Sequence, residues 1–363
     1  MVRKLSVFVT CFFALFAVSA PSIGAELTTV RIASFAQPQV GVPWNVEAAY
    51  YYAAERGVFA KYGIKVEFKQ ILGTGNHLKL FARGEVDMST ATTVAFRCQK
   101  PVGKPCMLAT TFARRQPIAL IAWKDVTKEI LDGKLIGIYR CIKGKPSGVG
   151  GSLLMSYFRA HDSKLKLSCG DTRKKGQVTF FAIGGENIAR ASVLLNREVD
   201  AFVWSGISPA VSAFLVDKRF HIALGPKDMT ATLTGPAMTR EYYEKNRETV
   251  ARVVAAVKEV ITTWQRNPQT LYAYLASKRF APRTDINGNP LSRGTQKQIA
   301  KISGDMLLAS YDVTKVTTET SIQKYMSSYF LMPPGKLFPL EKVRAVYSQT
   351  EAQKLLNGAY LPK

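Results

Sequence analysis

Hydrophobic and polar residues follow two recurring patterns along the first half of the chain. Short β-branched runs such as TVRIASF (29–35) and IKVEFKQI (64–71) predict buried strands. Longer segments with helical periodicity separate them, beginning with NVEAAYYYAAERGVF (45–59). Strands that alternate with helices are typical of a parallel sheet with right-handed crossovers, so we expect an α/β fold.

One strand–turn–helix–strand unit occurs twice. The segment GTGNHLKLFARGEVDMST (73–90) runs from a glycine pair through Asn76 and a helical stretch to the letters EVD. The segment GGENIARASVLLNREVDAFVWS (184–205) repeats this order with Asn187. A chain of 363 residues is also longer than one hydrophobic core usually supports. The repeat therefore predicts two similar βαβ lobes, each with its own sheet.

The second half of the chain changes from alternating strands and helices to helices alone. Strands are predicted at KLIGIYR (134–140), QVTFFAI (177–183) and VDAFVWS (199–205). From Glu241 onward the pattern is helical, and YYEKNRETVARVVAAVKEVITTWQRNP predicts one long amphipathic helix ended by Pro268. Further helical segments are expected around 295–311, 318–330 and 340–356. We expect this helical tail to pack on the first lobe.

The N-terminus is typical of a secretory signal peptide. Two basic residues precede an apolar run (5–20), and small residues follow it. We predict a signal peptide at 1–25 with cleavage after Ala25, because Pro21 would adjoin a cut after Ala20. No later segment has 18 consecutive apolar residues. We therefore expect a mature protein in the periplasm.

The cysteines fit an oxidising compartment. Cys11 lies in the predicted signal peptide, and Cys98, Cys106, Cys141 and Cys169 allow three connectivities. Proximity favours Cys98 with Cys106 and leaves Cys141 with Cys169. No C-x-x-C occurs, and the three histidines are far apart, so we expect neither a metal nor a cofactor.

The chain is strongly basic. Its formal net charge is +24, or +22 once the two basic residues of the predicted signal peptide are removed (24 − 2). Nucleic-acid binding predicts a basic stripe with interleaved aromatics, whereas the basic residues here are scattered, so no nucleic acid is expected. Attraction to a membrane surface and steering of a small anion both remain open. A solvated basic surface is the simplest explanation.

Glycine turns that lead from a strand into a helix present backbone N–H groups without intrahelical partners. Such helix starts bind anions or other hydrogen-bond acceptors. One glycine turn alone is compatible with an ordinary loop. Several at equivalent positions in two facing lobes favour a shared ligand site. The pair at Gly73 does not complete G-x-G-x-x-G, so it is not a dinucleotide fingerprint.

Five segments carry a family resemblance in series: AAERGVFAKYGIKVEF, LFARGEVDMSTATTVA, ILDGKLIGIYR, LLNREVDAFVWSGISPA and the long helix before Pro268. In this order the chain resembles periplasmic solute-binding proteins of ABC importers, in the nitrate/sulfonate/taurine group that includes thiamine-pyrimidine-precursor binders. The resemblance implies a type II binding-protein fold with two hinge crossings. It implies a first lobe from 26–121 and 223–363, including the helical tail, and a second lobe from 122–222.

The resemblance also implies which residues face the ligand. These are Phe35, Gln37, Trp44, Gly75, Asn76, Thr90, Ala91, Thr92, Arg114, Arg140, Gly151, Ser152, Gly185, Trp204 and Ser205. The arginines could clamp a carboxylate or sulfonate or lie exposed beside a hinge. The aromatics could stack on a ligand or fill the core. We expect His77 at the surface or in the cap region of its helix.

Two departures from the family pattern concern the ligand site. WSGISP stands where many relatives have an acidic residue and proline after the tryptophan, and the loop RCIKGKPSGVGG (140–151) is longer than expected.

The resemblance implies a monomeric binding component that delivers a small molecule to an ABC permease in the inner membrane. Desulfinase-like and pyrimidine-synthesis enzymes share this fold, but SFAQPQVGVPW (34–44) has no cysteine nucleophile, so we expect no enzyme. A periplasmic sensor remains an alternative.

Overall fold

The computed structural model describes residues 26–34, 47–71, 73–112, 118–147, 150–151, 154–155, 157–158, 165–183, 192–205, 213–225, 228, 235–277, 283–285, 288–330, 332–333 and 335–362. The described strands are β1 (Thr28–Ser34), β2 (Ile64–Gln70), β3 (Met88–Ser89), β4 (Cys106–Leu108), β5 (Ile118–Trp123), β6 (Leu135–Ile138), β7 (Arg140–Ile142), β8 (Lys145–Ser147), β9 (Lys166–Cys169), β10 (Gln177–Ala182), β11 (Ala201–Ser205), β12 (Phe220–Leu224) and β13 (Ala237–Thr239). The described helices are α1 (Glu47–Glu55), α2 (Val58–Lys61), α3 (Thr74–Ala82), α4 (Thr93–Arg97), α5 (Gln99–Val102), α6 (Arg240–Lys245), α7 (Arg247–Arg266), α8 (Pro268–Leu275), α9 (Arg293–Ser310), α10 (Glu319–Tyr329), α11 (Leu340–Val346) and α12 (Gln349–Leu356), with a 3-10 helix at Ala213–Val216.

The strands form two separate larger sheets. The first has the order β2-β1-β3-β13-β4, with β1, β2 and β3 parallel and β13 antiparallel to its neighbours. The second has the order β12-β5-β11-β6-β10-β9, with β6, β9, β10 and β11 parallel. The two copies of the repeated unit lead to β3 in one sheet and β11 in the other. The expectation of one sheet for each copy is confirmed.

The chain passes between the sheets twice. It enters the second sheet between β4 and β5, and it returns to the first between β12 and β13. The expected lobe boundaries at 121/122 and 222/223 fall inside β5 and β12.

The helical tail packs on the first sheet's side of the molecule. Lys61 forms an ion pair with Glu259 of α7 (Nζ to Oε2, 2.8 Å). The Thr110 hydroxyl, just after β4, donates to the carbonyl of Ala352 in α12 at 3.1 Å. Helix α9 additionally contacts the 3-10 helix that follows the second sheet's strand β11.

Two predictions about the tail helices were wrong in detail. The expected single helix ending at Pro268 is two helices, α6 and α7, which separate at Asn246, and Pro268 begins α8. Proline suits a first helical position because the N–H it lacks would have no intrahelical acceptor there. The predicted helix at 340–356 is likewise two helices, and the Ser348 hydroxyl caps the second by accepting from the Glu351 N–H at 3.3 Å.

Both favoured disulfides are present. Cys98 bonds Cys106 with a Cα–Cα distance of 5.8 Å, and Cys141 bonds Cys169 with 6.3 Å. The first closes the loop before β4, and the second joins β7 to the end of β9. The predicted signal peptide lies outside the described residues. Among the described helices, none combines the length and hydropathy that crossing a membrane requires.

Candidate functional site

Three parallel strands of the first sheet end at one edge, and two helices begin beside it. Helix α3 starts at Thr74 shortly after β2, and α4 starts at Thr93 after β3. The Thr74 and Thr93 hydroxyl oxygens lie 3.0 Å apart, so the two helix starts are adjacent. We call residues 74–77 and 89–93 the first-lobe edge.

The structure brings five of the predicted ligand contacts together on the first-lobe edge. Gly75 is exposed and Asn76 is half-buried in the first turn of α3. Thr90 is half-buried, whereas Ala91 and Thr92 are both 3 % exposed. Gly75, Asn76 and Thr90 are therefore the accessible members of this group.

His77 is completely buried behind the first-lobe edge. Its Nε2 lies 2.9 Å from the Ile71 carbonyl oxygen, and its Nδ1 lies 2.8 Å from the Ser89 hydroxyl. Because a carbonyl only accepts, the network assigns the proton to Nε2 and makes Ser89 the donor to Nδ1. Ser89 in turn accepts from the Ala91 N–H at 2.9 Å. One neutral imidazole thus joins the ends of β2 and β3 to α3.

Burial lowers the pKa of His77 to about 4, against the opposing hydrogen bond to Ile71. The surface alternative for this histidine was wrong, because it lies in the first turn of α3 but is buried. The sequence does carry a signal for burial, because Leu80 and Phe81 lie three and four residues further on the same helix face and are both buried.

A second buried polar group supports Thr90. Glu47, in the first turn of α1, is 3 % exposed, and its carboxylate accepts a hydrogen bond from the Thr90 hydroxyl. Nearby, the Tyr51 hydroxyl lies 2.7 Å from the Ser34 hydroxyl and 3.0 Å from the Gln70 side-chain nitrogen. The ends of β1, β2 and β3 are therefore fixed by side-chain hydrogen bonds as well as by the sheet.

The first-lobe edge offers two kinds of polar contact. In the first turn of α3, the backbone N–H groups of Asn76 and His77 donate to the Gly73 carbonyl at 2.9 and 3.3 Å, which leaves those of Thr74 and Gly75 as donors for a ligand. The Thr90 oxygen has committed its proton to Glu47, so it offers lone pairs to a third group. The edge can therefore bind an acceptor beside α3 and a donor beside Thr90.

The second sheet's carboxyl edge is built differently. Strand β6 ends at Ile138, and the next two residues, Tyr139 and Arg140, are exposed. Arg140 begins the β7–β8 hairpin. Gly151 is buried, and a Cβ at this position would lie 3.1 Å from Pro146 of that hairpin. The glycine therefore permits close packing of chain against chain.

Trp204 fills the core. It is 1 % exposed and lies on β11, which is flanked by β5 and β6 and therefore carries side chains that are buried on both faces. The burial agrees with the core-filling role considered for this residue, and its contact with a ligand stays a prediction. Ser205 is the last residue of the same strand.

The other predicted ligand contacts lie outside the described residues and stay predictions. They are Phe35, Gln37, Trp44, Arg114, Ser152 and Gly185.

The repeated letters EVD lie at the opposite, amino edge of each sheet. Asp87 accepts from the Arg31 backbone N–H at 2.8 Å and from the Arg31 guanidinium at 2.6 Å. Asp200 accepts from the Leu135 backbone N–H at 2.8 Å and from the Arg173 guanidinium at 2.9 Å. The repeated aspartates thus hold neighbouring strands together and do not belong to the ligand site.

A pocket of about 230 Å³ also lies at the amino edge of the second sheet. It is lined by Trp123, Asp125, Val126, Arg173, Arg197, Val199 and Asp200. Within the described ranges, no group of three or more His, Cys, Asp or Glu side chains is placed to hold a metal ion.

Comparison with solved structures defines the class. The model superimposes on the periplasmic nitrate-binding protein NrtA from Synechocystis PCC 6803 with a TM-score of 0.59 at 13 % identity, over 93 % of this chain and 92 % of that one. The periplasmic aliphatic sulphonate binding protein SsuA from Escherichia coli gives 0.57 at 13 % identity, over 91 % and 99 %. The chain therefore has the two-lobed type II periplasmic binding-protein fold.

Sequence comparison indicates which group of binding proteins the chain resembles. Residues 44–145 match the NMT1/THI5-like family model, which confirms the resemblance over that segment. No curated protein sequence matches the chain. A sulfonate-binding SsuA of Methylobacillus flagellatus KT has the same fold, with a TM-score of 0.58 at 14 % identity over 93 % of this chain and 96 % of that one.

Proposed function

We propose that the protein is the periplasmic solute-binding component of an ABC importer and that it holds one small ligand between its two lobes without converting it. The observation that carries the proposal is the pair of separate sheets, each of which contributes a carboxyl edge from its copy of the same unit. The likeness to nitrate- and sulfonate-binding proteins over at least nine-tenths of the chain supports it.

The first-lobe edge favours an organic ligand over a bare inorganic anion. The start of α3 suits a sulfonate, carboxylate or ring acceptor, while the committed proton of Thr90 leaves an acceptor for a ligand N–H or O–H group. Ligands that carry both groups, such as aminoalkanesulfonates, hydroxycarboxylates or aminopyrimidines, satisfy both contacts. Nitrate satisfies only the first.

The cysteine chemistry supports binding without turnover. All four cysteines of the predicted mature chain, Cys98, Cys106, Cys141 and Cys169, are paired in disulfides. A disulfide sulfur is not a free thiolate nucleophile.

Calorimetric titration with nitrate, alkyl- and arylsulfonates, aminoalkanesulfonates, aromatic carboxylates and pyrimidines tests the function. We expect a ligand with both a donor and an acceptor to bind about tenfold more tightly than its analogue without the donor, the effect of about one hydrogen bond. Recovery of the bound ligand unchanged after prolonged incubation is the second expected result. Conversion of that ligand, or failure of the whole panel to bind, would overturn the proposal.

Thr90→Val tests the site itself. This substitution keeps the side-chain shape but removes the oxygen, so it should weaken the donor-bearing ligand about tenfold and leave the donor-free analogue unchanged. Thr263→Val, an exposed position on α7, is the matched control and should not alter either affinity. Equal losses for both ligands in Thr90→Val would contradict the assigned contact.

A further inference from the structure

The β7–β8 hairpin is a small two-stranded unit that contacts β9 and β10 of the second sheet. Arg140 pairs with Ser147, Cys141 with Pro146 and Ile142 with Lys145. Lys143 and Gly144 form the turn with φ of 49° and 70°, the backbone twist favoured in two-residue hairpin turns. The hairpin lies within the segment 140–151, which we expected to be longer than its counterpart in the family.

The two faces of the hairpin have different roles. Cys141 and Pro146 point inward, where Cys141 is bonded to Cys169 and Pro146 packs on Gly151. Side chains alternate along a strand, so Arg140, Ile142 and Lys145 lie on the outer face and are exposed. The disulfide therefore holds the inner face of the hairpin, while the outer side chains are exposed.

The exposed side chains of residues 139–145 include both basic and apolar ones. Tyr139 is 50 % exposed and Ile142 is 42 % exposed, which places two of the six exposed large hydrophobic side chains of the described chain within four residues of each other. The basic residues beside them are Arg140, Lys143 and Lys145. No acidic residue occurs in the sequence between Asp132 and Asp162, so this charge is not offset by neighbours along the chain.

We propose that segment 139–145 binds the surface of an anionic phospholipid membrane through its exposed side chains, Cys141 being turned inward. Basic side chains interact with anionic headgroups, and an exposed aromatic or aliphatic side chain among them inserts into the interface. A bilayer fits this face better than a protein partner does, because seven residues are far fewer than the 20 to 30 a side of a typical stable protein interface. The overall charge of +24 attracts the same surface at longer range.

Membrane binding through this segment would place the bilayer at the same edge of the second sheet as the predicted ligand site. Tyr139 directly follows β6, so the hairpin leaves the second sheet at its carboxyl edge. A bound hairpin would hold that edge close to the bilayer. The membrane contact does not depend on which ligand the lobes bind.

Vesicle partitioning of the mature chain, without the predicted signal peptide 1–25, tests the proposal. The probes are vesicles of phosphatidylglycerol mixed with phosphatidylcholine and vesicles of phosphatidylcholine alone. We expect binding only to the anionic vesicles. Lys143→Asn with Lys145→Thr retains the turn, since asparagine tolerates positive φ, and removes two cations. Each cation is equivalent to about fivefold in partition coefficient, so the double variant should partition about 30-fold less.

The matched control is Lys174→Ser with Lys175→Ser. These exposed lysines precede β10 at its amino end, and their removal changes the net charge equally. At physiological salt, charges more than about 8 Å from the surface are screened, so the control should lose less than about threefold. Equal losses in the two double variants would show a general effect of charge and would overturn the assignment to the hairpin.

A third variant measures how deeply the hairpin inserts into the bilayer. Ile142→Trp places an indole on the outer face, and vesicles with brominated phosphatidylglycerol should quench its added fluorescence. Absence of quenching, or absence of wild-type binding to anionic vesicles, would overturn the proposal. In the latter case, reduced binding of the lysine double variant to an acidic protein would assign the hairpin to a protein partner.

Discussion

The two lobes are alike at one edge of their sheets and different at the other. At the amino edge, Asp87 and Asp200 each accept a backbone N–H of the neighbouring strand and a guanidinium. In both cases the same arginine also donates to a carbonyl at the end of the preceding helix, Gly84 at 2.9 Å and Arg197 at 3.2 Å. The letters that repeat in the sequence therefore build the same joint between helix and strand.

The carboxyl edges differ in the parts that the structure describes. In the first lobe, buried His77 holds the edge through Ser89 and Ile71. In the second lobe, the Cys141–Cys169 disulfide and the hairpin occupy the region after β6. The shared letters EVD thus mark a joint that both lobes contain, whereas the groups that hold the described parts of the two carboxyl edges differ between the lobes.

The largest expected effect concerns His77. Burial lowers its pKa from an ordinary value of 6.5 to about 4, so the unfolded chain binds this proton more readily than the folded one. Above pH 6.5 the neutral histidine makes its full contribution to the free energy of unfolding. As the pH falls from 6.5 towards 4, this contribution decreases by about 3 kcal/mol. Chemical unfolding at a series of pH values should show the free energy of unfolding decreasing over this window.

Substitution separates this contribution from other acid effects. His77→Gln should be less stable than wild type at pH 7, and its free energy of unfolding should fall by about 3 kcal/mol less between pH 6.5 and 4. His221→Gln, which removes an imidazole bonded to the Val126 carbonyl in the second lobe, is the matched substitution away from this edge. An unchanged profile in His77→Gln would show that this edge is not held by a neutral histidine.

Sequence patterns were sufficient for the fold because strands, helix starts and the repeat have local signals. These patterns did not predict which way individual side chains point. For Trp204 the sequence left both ligand stacking and core filling open, and the full burial of its side chain depends on its place on a central strand, which the sequence pattern does not give. His77 and Glu47 were missed because their partners, Ser89 and Thr90, are distant in sequence and meet them only after the sheet has formed.

An intermediate effect is expected at the repeated aspartates. Asp87→Ala removes three hydrogen bonds from Arg31 and should lower the free energy of unfolding by roughly 2 kcal/mol. Asp200→Ala should cost somewhat less, because Arg173 reaches it through one nitrogen only. Denaturant titration measures both.

The control for the aspartates is Glu67→Ala, which breaks an exposed ion pair with Lys65 and should lie within about 0.5 kcal/mol of wild type. If the aspartate variants are no less stable than this control, the amino edges are not joints that the fold requires.

The smallest expected effect concerns the residue just before the letters EVD, which is Gly84 in the first lobe and Arg197 in the second. Gly84 and Arg197 occupy the same place in the repeat, and both have positive φ, 68° and 57°. A Cβ at Gly84 meets no atom within 4 Å, so Gly84→Ala should cost only the backbone strain of about 1 kcal/mol. Arg197 already bears that strain, and its guanidinium lies 4.1 Å from the Trp123 ring centroid.

Stacking on Trp123 explains why an arginine is tolerated in the second lobe at a position where the first lobe has glycine. Such a contact contributes about 0.5–1 kcal/mol at an exposed site. Arg197→Gly should therefore leave the free energy of unfolding within about 0.5 kcal/mol of wild type, because relief of strain offsets the lost stacking. Arg197→Ala keeps the strain and should be destabilised by the full value of the stacking. A gain of about 1 kcal/mol in Arg197→Gly would mean that the contact with Trp123 contributes nothing, and the two helix ends would then differ in strain alone.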